Sequence, residues 1–284
     1  MGAFTPSTKK LPVLSRTSLL KATFGTVLAY GPAGAGKTRS IRTLVDHKMS
    51  PLILATELGE TKGLLSLASS DIPFVTVTSH TELLDVIRAL KRKPGKVEYD
   101  GTEFGAVTLD SITQWGEMPL EKYMEMKGWK DLHGPTEKGG GKDPRTAYGY
   151  LAEKGRQLYK ELFDLHCHLY IIAREGLFGG GEEPTFAAPE LPGQKLPREL
   201  PGWPDATVRL RVVGGKFRMI TRGEGGAPAR VRLPEDLKPL PARCLPDIGA
   251  LIKYMTGDQT VFPLLAPGGT EEGTETPSKK EEQS

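Results

Sequence analysis

The sequence predicts an α/β fold: a mostly parallel central sheet flanked by helices, with a C-terminal antiparallel hairpin. Short apolar runs alternate with amphipathic stretches, the pattern of strands joined by helical crossovers. A glycine-rich turn, Gly31 to Thr38, separates the first apolar run from the first amphipathic stretch. Near the C-terminal end, two strand-like runs flank Gly214-Gly215, a turn signal for a hairpin.

Each element has its own justification. Thr26–Tyr30 is apolar and breaks at Gly31, so it reads as a buried strand. Thr38–His47 follows as a helix, and Leu52–Thr56 and Phe74–Val77 as two more buried strands. Ser79-His80-Thr81-Glu82 has capping-box spacing and precedes Leu83, Leu84, Ile87 and Leu90, which share one helical face. Ala106–Leu109 is the next strand, Tyr148–His166 a long helix, and Leu169–Ala173 the strand after it. Thr207–Val213 and Lys216–Thr221 form the hairpin, and Leu245–Met255 a closing helix.

The chain of 284 residues is long enough for a sizeable core, and 38% hydrophobic with 26% charged residues excludes a mostly unfolded chain. Residues 1–20 read as a flexible arm or an edge strand lent to a neighbour, 21–257 as the core, and 258–284 as a disordered acidic tail. From about 266 the tail is rich in Gly, Pro, Thr and Glu. Its Glu271, Glu272, Glu275, Glu281 and Glu282 outweigh Lys279 and Lys280, a charge of −3 within a net +3 chain. No apolar run reaches membrane-spanning length and none resembles a secretory leader, so the expected setting is the cytoplasm, without membrane contact. Two cysteines, Cys167 and Cys244, cannot build a disulfide framework. His166 and His168 around Cys167 read as ordinary packing.

The chemistry is concentrated in Gly31-Pro32-Ala33-Gly34-Ala35-Gly36-Lys37-Thr38, a full G-x-x-x-x-G-K-[ST] match between a strand and a helix. Glycines let the backbone curl around a phosphate chain, and the helix start adds positive potential. Lys37 is placed to reach the β- and γ-phosphates, Thr38 to ligate Mg²⁺, and Arg39 completes the nucleotide-binding run. Asp110 ends the strand Ala106–Leu109 and is expected to support the metal. Glu57 follows strand Leu52–Thr56, where a carboxylate could orient an attacking water. Glu60 is its rival.

Together these residues resemble the RecA-like ATPase core, and most closely the short bacteriophage RecA-like proteins, including core-only recombinases that accompany single-strand annealing. The resemblance rests on Gly31–Thr38, on Leu52-Ile53-Leu54-Ala55-Thr56-Glu57, and on Leu109-Asp110-Ser111. Tyr148–Glu175 and the Gly/Pro segments Leu191–Lys195 and Leu200–Asp205 extend it over about residues 20–256. It implies ATP and Mg²⁺ as cofactors and Glu57 as the catalytic carboxylate. It also implies a homo-oligomer, ring or filament, with nucleotide at the subunit interface. Arg230 and Arg232, spaced i, i+2, would then reach the neighbour's γ-phosphate together. The chain departs from the family after Ala173: Arg174 and Glu175 stand where many relatives carry a polar sensor.

The resemblance also implies two loops for single-stranded DNA. The first, about Lys127–Arg145, holds Lys127, Trp129, Lys130, Lys138, Lys142 and Arg145, with His133 and an excess of positive charge. The second, about Gly176–Leu200, is net negative but contains Lys195 and Arg198. The expected function is Mg²⁺-dependent ATP hydrolysis coupled to assembly on single-stranded DNA in recombination or annealing, alongside a single-stranded-DNA-binding protein. In a phage the setting would be the host cytoplasm. The alternatives are a nucleotide-binding scaffold or assembly protein with little turnover, and a small-molecule kinase.

Overall fold

The computed structural model describes residues 23–56, 62–93, 95–132, 143–180 and 183–266. The elements, in chain order, begin with β1 (Thr26–Gly31), α1 (Arg42–Asp46), β2 (Pro51–Ala55), α2 (Lys62–Leu65), β3 (Phe74–Thr76) and α3 (His80–Leu90). The small β4 (Glu98–Tyr99) and β5 (Thr102–Glu103) precede β6 (Ala106–Asp110), α4 (Ile112–Lys127) and α5 (Pro144–Phe163). Then come β7 (His168–Gly180), β8 (Glu183–Pro189), α6 (Lys195–Glu199), β9 (Ala206–Val213) and β10 (Lys216–Ile220). The short β11 (Arg230–Val231) and β12 (Arg243–Cys244) lead to α7 (Ile248–Met255) and α8 (Phe262–Leu265).

Ten strands form one sheet whose spine runs β12-β10-β9-β1-β7-β6-β2-β3. From β9 to β3 every neighbouring pair is parallel, while β10, β8 and β11 add antiparallel pairs. Strand β1 sits near the centre, and Val27, Leu28, Ala29 and Tyr30 are wholly buried. Alternation sends Leu28 and Tyr30 to one face, where they pack among residues of α3, α4 and α5. Val27 and Ala29 go to the other, among residues of α1 and α7. Two covered faces explain why these strands read as continuous apolar runs.

Helix starts follow local chemistry. Ser79 accepts from the Glu82 N–H at 3.1 Å, the first half of the expected capping box. The second half differs: the Glu82 carboxylate takes the Thr78 N–H at 2.7 Å and the Thr78 hydroxyl at 2.9 Å. Asp143 caps α5 ahead of Pro144, and Asp247 caps α7 through the Ala250 N–H at 2.8 Å.

Four expectations need correction. β3 is an edge strand and not a buried one: it lies last in the sheet and Phe74 is 47% exposed. Thr38–His47 is not a continuous α-helix, because a 3₁₀ turn, Arg39–Ile41, precedes α1. The second proposed DNA loop is mostly ordered: β7 runs on to Gly180 and turns back as β8, then α6 follows. The core also extends past residue 257, since Gln259–Val261 and α8 pack on it with Leu265 wholly buried. The arm at 1–20 and the tail beyond 266 lie outside the described residues. Among the described residues, no helix is long and apolar enough to cross a membrane.

Candidate nucleotide site

The loop Pro32–Thr38 leaves the C-terminal end of β1 and leads into the turn before α1. Three glycines make its path possible for different reasons. Gly34 (φ 75°) and Gly36 (φ 84°) hold left-handed conformations, which other residues reach only with strain. Gly31 is needed for room: a Cβ there would stand 2.2 Å from the Leu210 carbonyl oxygen of β9. Lys37 bends back along the loop, and its ammonium donates to the carbonyls of Gly31 and Pro32, each at 2.8 Å.

The sheet brings the second acid to this loop. β7 lies between β1 and β6, and Gly31 is level with Arg174 while Asp110 is level with Ile172. The Thr38 hydroxyl donates to the Asp110 carboxylate at 2.8 Å, across 72 residues of sequence. Below it, Ser40 Oγ donates to the Lys37 carbonyl at 2.6 Å and shares a 2.7 Å hydrogen bond with the Tyr170 hydroxyl. Burial is the main cause, and nearby Asp110 a minor one, of a Tyr170 pKa far above the usual tyrosine range, so this hydroxyl keeps its proton. Thr56 completes the floor: its hydroxyl donates to the Ser111 carbonyl at 2.6 Å and accepts from the Ser111 N–H at 2.9 Å. Its own N–H reaches the Asp110 carbonyl at 2.9 Å. The end of β2 is thereby fastened to the end of β6.

Sequence reasoning missed three supports. Arg209 of β9 forms a two-pronged ion pair with Glu175 of β7, both contacts 2.7 Å, with side chains only 12% and 13% exposed. The strand between them is β1, so the pair clamps both neighbours of the phosphate-loop strand. Glu175 raises the Arg209 pKa through that hydrogen bond. The Arg174 N–H donates to the buried Thr113 hydroxyl at 2.8 Å, tying β7 to α4. Finally, the Trp115 indole N–H donates to His80 Nδ1 at 3.1 Å beneath α4. Burial first, then Lys154, pulls the His80 pKa down to about 4.

The other expected residues are dispersed. Glu57, Lys138 and Lys142 lie outside the described residues, as do Glu60 and His133. Arg39 is exposed at the first turn after the loop. Arg230 is level with Thr207, which is level with Leu28, so it stands below the loop of its own chain. Its guanidinium binds the carbonyls of Gly202 and Pro204, and Arg232 shares the Gly202 carbonyl at 3.2 Å. The two side chains do point to one place, as the i, i+2 spacing requires. Arg174, beside Gly31, pairs with Glu190 at 3.4 Å.

The basic residues expected on loops are partly held in helices. Lys127 is the last residue of α4, which Gly128 ends in a left-handed turn, and Arg145 lies in the first turn of α5. Trp129 packs edge-on against Tyr123 at 5.7 Å and is half-buried. Lys130 is exposed. On α6, Lys195 pairs with Glu199 at 3.9 Å, while Arg198 lies over the Phe186 ring at 5.9 Å.

The arrangement suits one chemistry. A loop of left-handed glycines with a lysine in its mouth is built to wrap phosphate oxygens. A hydroxyl and a carboxylate in contact supply the oxygen donors that Mg²⁺ takes from protein beside a phosphate chain. Comparison with curated proteins gives no match. A family model for the AAA domain matches residues 24–233, from just before β1 to just after β11. That span contains the loop, the strand bearing Asp110, and every strand between them in the sheet, and the chain belongs to the AAA domain family of P-loop NTPases.

Proposed function

We propose that this chain is a Mg²⁺-dependent ATPase of the phage RecA-like type that couples turnover to assembly on single-stranded DNA. The observation that carries the ATPase reading is the hydrogen bond from Thr38 to Asp110 at the mouth of the phosphate loop. With Mg·ATP bound, the loop N–H groups and Lys37 would hold the β- and γ-phosphates, Lys37 exchanging its carbonyl contacts for phosphate oxygens. Thr38 and Asp110 would hold the metal, which neutralises charge on those phosphates. Glu57 follows Thr56 directly and would accept a proton from the attacking water.

Arg230 and Arg232 are assigned to a neighbouring subunit's γ-phosphate. Their adjacency supports this, since two clustered guanidiniums favour an anion, and each lowers the cost of binding it. A homo-oligomer with shared sites follows from that assignment. The DNA reading rests on charge: the segment 127–145 is net basic, and the chain outside its acidic tail carries excess positive charge. Lys127, Lys130, Lys138, Lys142 and Arg145 would meet phosphates and Trp129 a base, with Lys195 and Arg198 as minor contacts.

The test is ATP turnover with and without single-stranded DNA over a salt titration. Stimulation that fades steeply with salt supports the reading. Stimulation by nucleosides in place of DNA would turn it toward a small-molecule kinase. Calorimetry that detects no Mg·ATP uptake overturns the ATPase reading altogether.

A further inference from the structure

The phosphate loop touches one large apolar side chain that its chemistry does not use. Phe217 is the second residue of the return strand of the β9–β10 hairpin, opposite Val212. Its ring lies against Gly36: a Cβ on that glycine would stand 3.4 Å and 3.5 Å from two ring carbons. The residue is nevertheless 41% exposed. The chain thus holds an aromatic ring against the loop's last glycine and leaves much of it open.

The direction of a bound triphosphate gives this ring a partner. Thr38 and Asp110 mark the flank toward β6, where metal and terminal phosphates belong. Strands β9 and β10 lie on the opposite side of β1. A triphosphate with its terminal groups toward Asp110 sends its nucleoside end toward that side. A nucleobase presents a flat π-face there, and an open aromatic ring is suited to stack on one.

We propose that Phe217 is a base-binding residue, stacking the nucleobase of the triphosphate held by the loop. This rests on the nucleotide reading above. It assigns the β9–β10 hairpin a share of ligand affinity that the phosphates do not provide.

The experiment compares two ligands, Mg·ATP and Mg·tripolyphosphate, by calorimetry on the full chain. Tripolyphosphate carries the anionic chain without a base. For Phe217→Ala, ATP affinity falls roughly 5- to 150-fold, the range for loss of one aromatic–base stack, while tripolyphosphate affinity is unchanged. Phe217→Trp keeps the wild-type ratio, and its added emission is quenched by ATP but not by tripolyphosphate. This second variant keeps the test open if the alanine variant fails to fold. Equal weakening of both ligands by Phe217→Ala overturns the proposal, because the ring would then only prop the loop. Unchanged affinity for both also overturns it, as does emission in the tryptophan variant that ignores ATP. A wild-type chain that binds tripolyphosphate and ATP equally well sinks the base contact alone. One that binds neither sinks the nucleotide reading with it.

Discussion

On the β6 and β7 side of the phosphate loop, Thr56, Ser111 and Thr113 are buried and paired; on the β9–β10 side, Val212 and Phe217 stand half in water. Thr56, Ser111 and Thr113 are at most 3% exposed, and each has a specific partner. Val212 and Phe217 are 50% and 41% exposed. A buried hydrogen bond left unmade is costly, so the first flank tolerates one arrangement and holds Asp110 in it. An exposed apolar residue carries no such penalty, so Val212 on the second flank is free to change. The difference teaches where the molecule has spent its constraint: on the groups that would meet metal and terminal phosphate in the proposed ATPase.

The largest expected effect breaks the chemistry assigned to the polar flank. Glu57→Gln should lower ATP turnover roughly 10²- to 10⁴-fold while Mg·ATP binding persists, read by steady-state kinetics and calorimetry. Equal, near-zero turnover in both forms would favour a nucleotide-binding scaffold.

Next comes the clamp that joins the two flanks. Arg209→Leu strands the covered Glu175 carboxylate, and stability should fall by about 3 kcal/mol, the low end for a buried pair because an eighth of each side chain stays wet. Replacing both partners with apolar residues should recover most of that loss in urea melts.

Thr113→Val removes the acceptor of the Arg174 N–H and should cost about 2 kcal/mol. The same measurement on Val212→Ser, on the open flank, should move by less than about 0.5 kcal/mol. Equal losses would erase the contrast between the flanks.

The pH dependence sharpens it from another direction. His80 titrates at about 4 in the folded chain against an ordinary 6.5, so between these values the unfolded chain binds the extra proton. Stability therefore falls as pH drops through that window, by up to about 1.4 kcal/mol per unit, and His80→Gln should flatten the slope. An unchanged slope would show that the Trp115–His80 contact does not carry it.

Much of the fold was readable before any coordinates. Val27 to Tyr30 are apolar because both faces of β1 are covered, and the glycine pair at 214–215 takes the left-handed turn the hairpin demands. What escaped has identifiable causes. Helix α4 carries Gly116 and Pro119, both poor helix formers, so its periodicity is weak. Strand β8 follows a glycine run that reads as a loop. β3 looked buried because a short run such as Phe74–Val77 does not reveal whether a neighbour lies beyond it.

By itself the sequence determined the phosphate loop, since left-handed glycines, a lysine and a hydroxyl in fixed order are a local property of the chain. It also determined the strand that ends in Asp110. Only the tertiary structure decided that Thr38 and Asp110 touch, that Arg209 and Glu175 grip β1 from both sides, and that Phe217 covers Gly36. Those contacts join residues far apart in the chain, and which strands become neighbours depends on how the whole sheet buries its two faces. Local pattern carries no record of that choice.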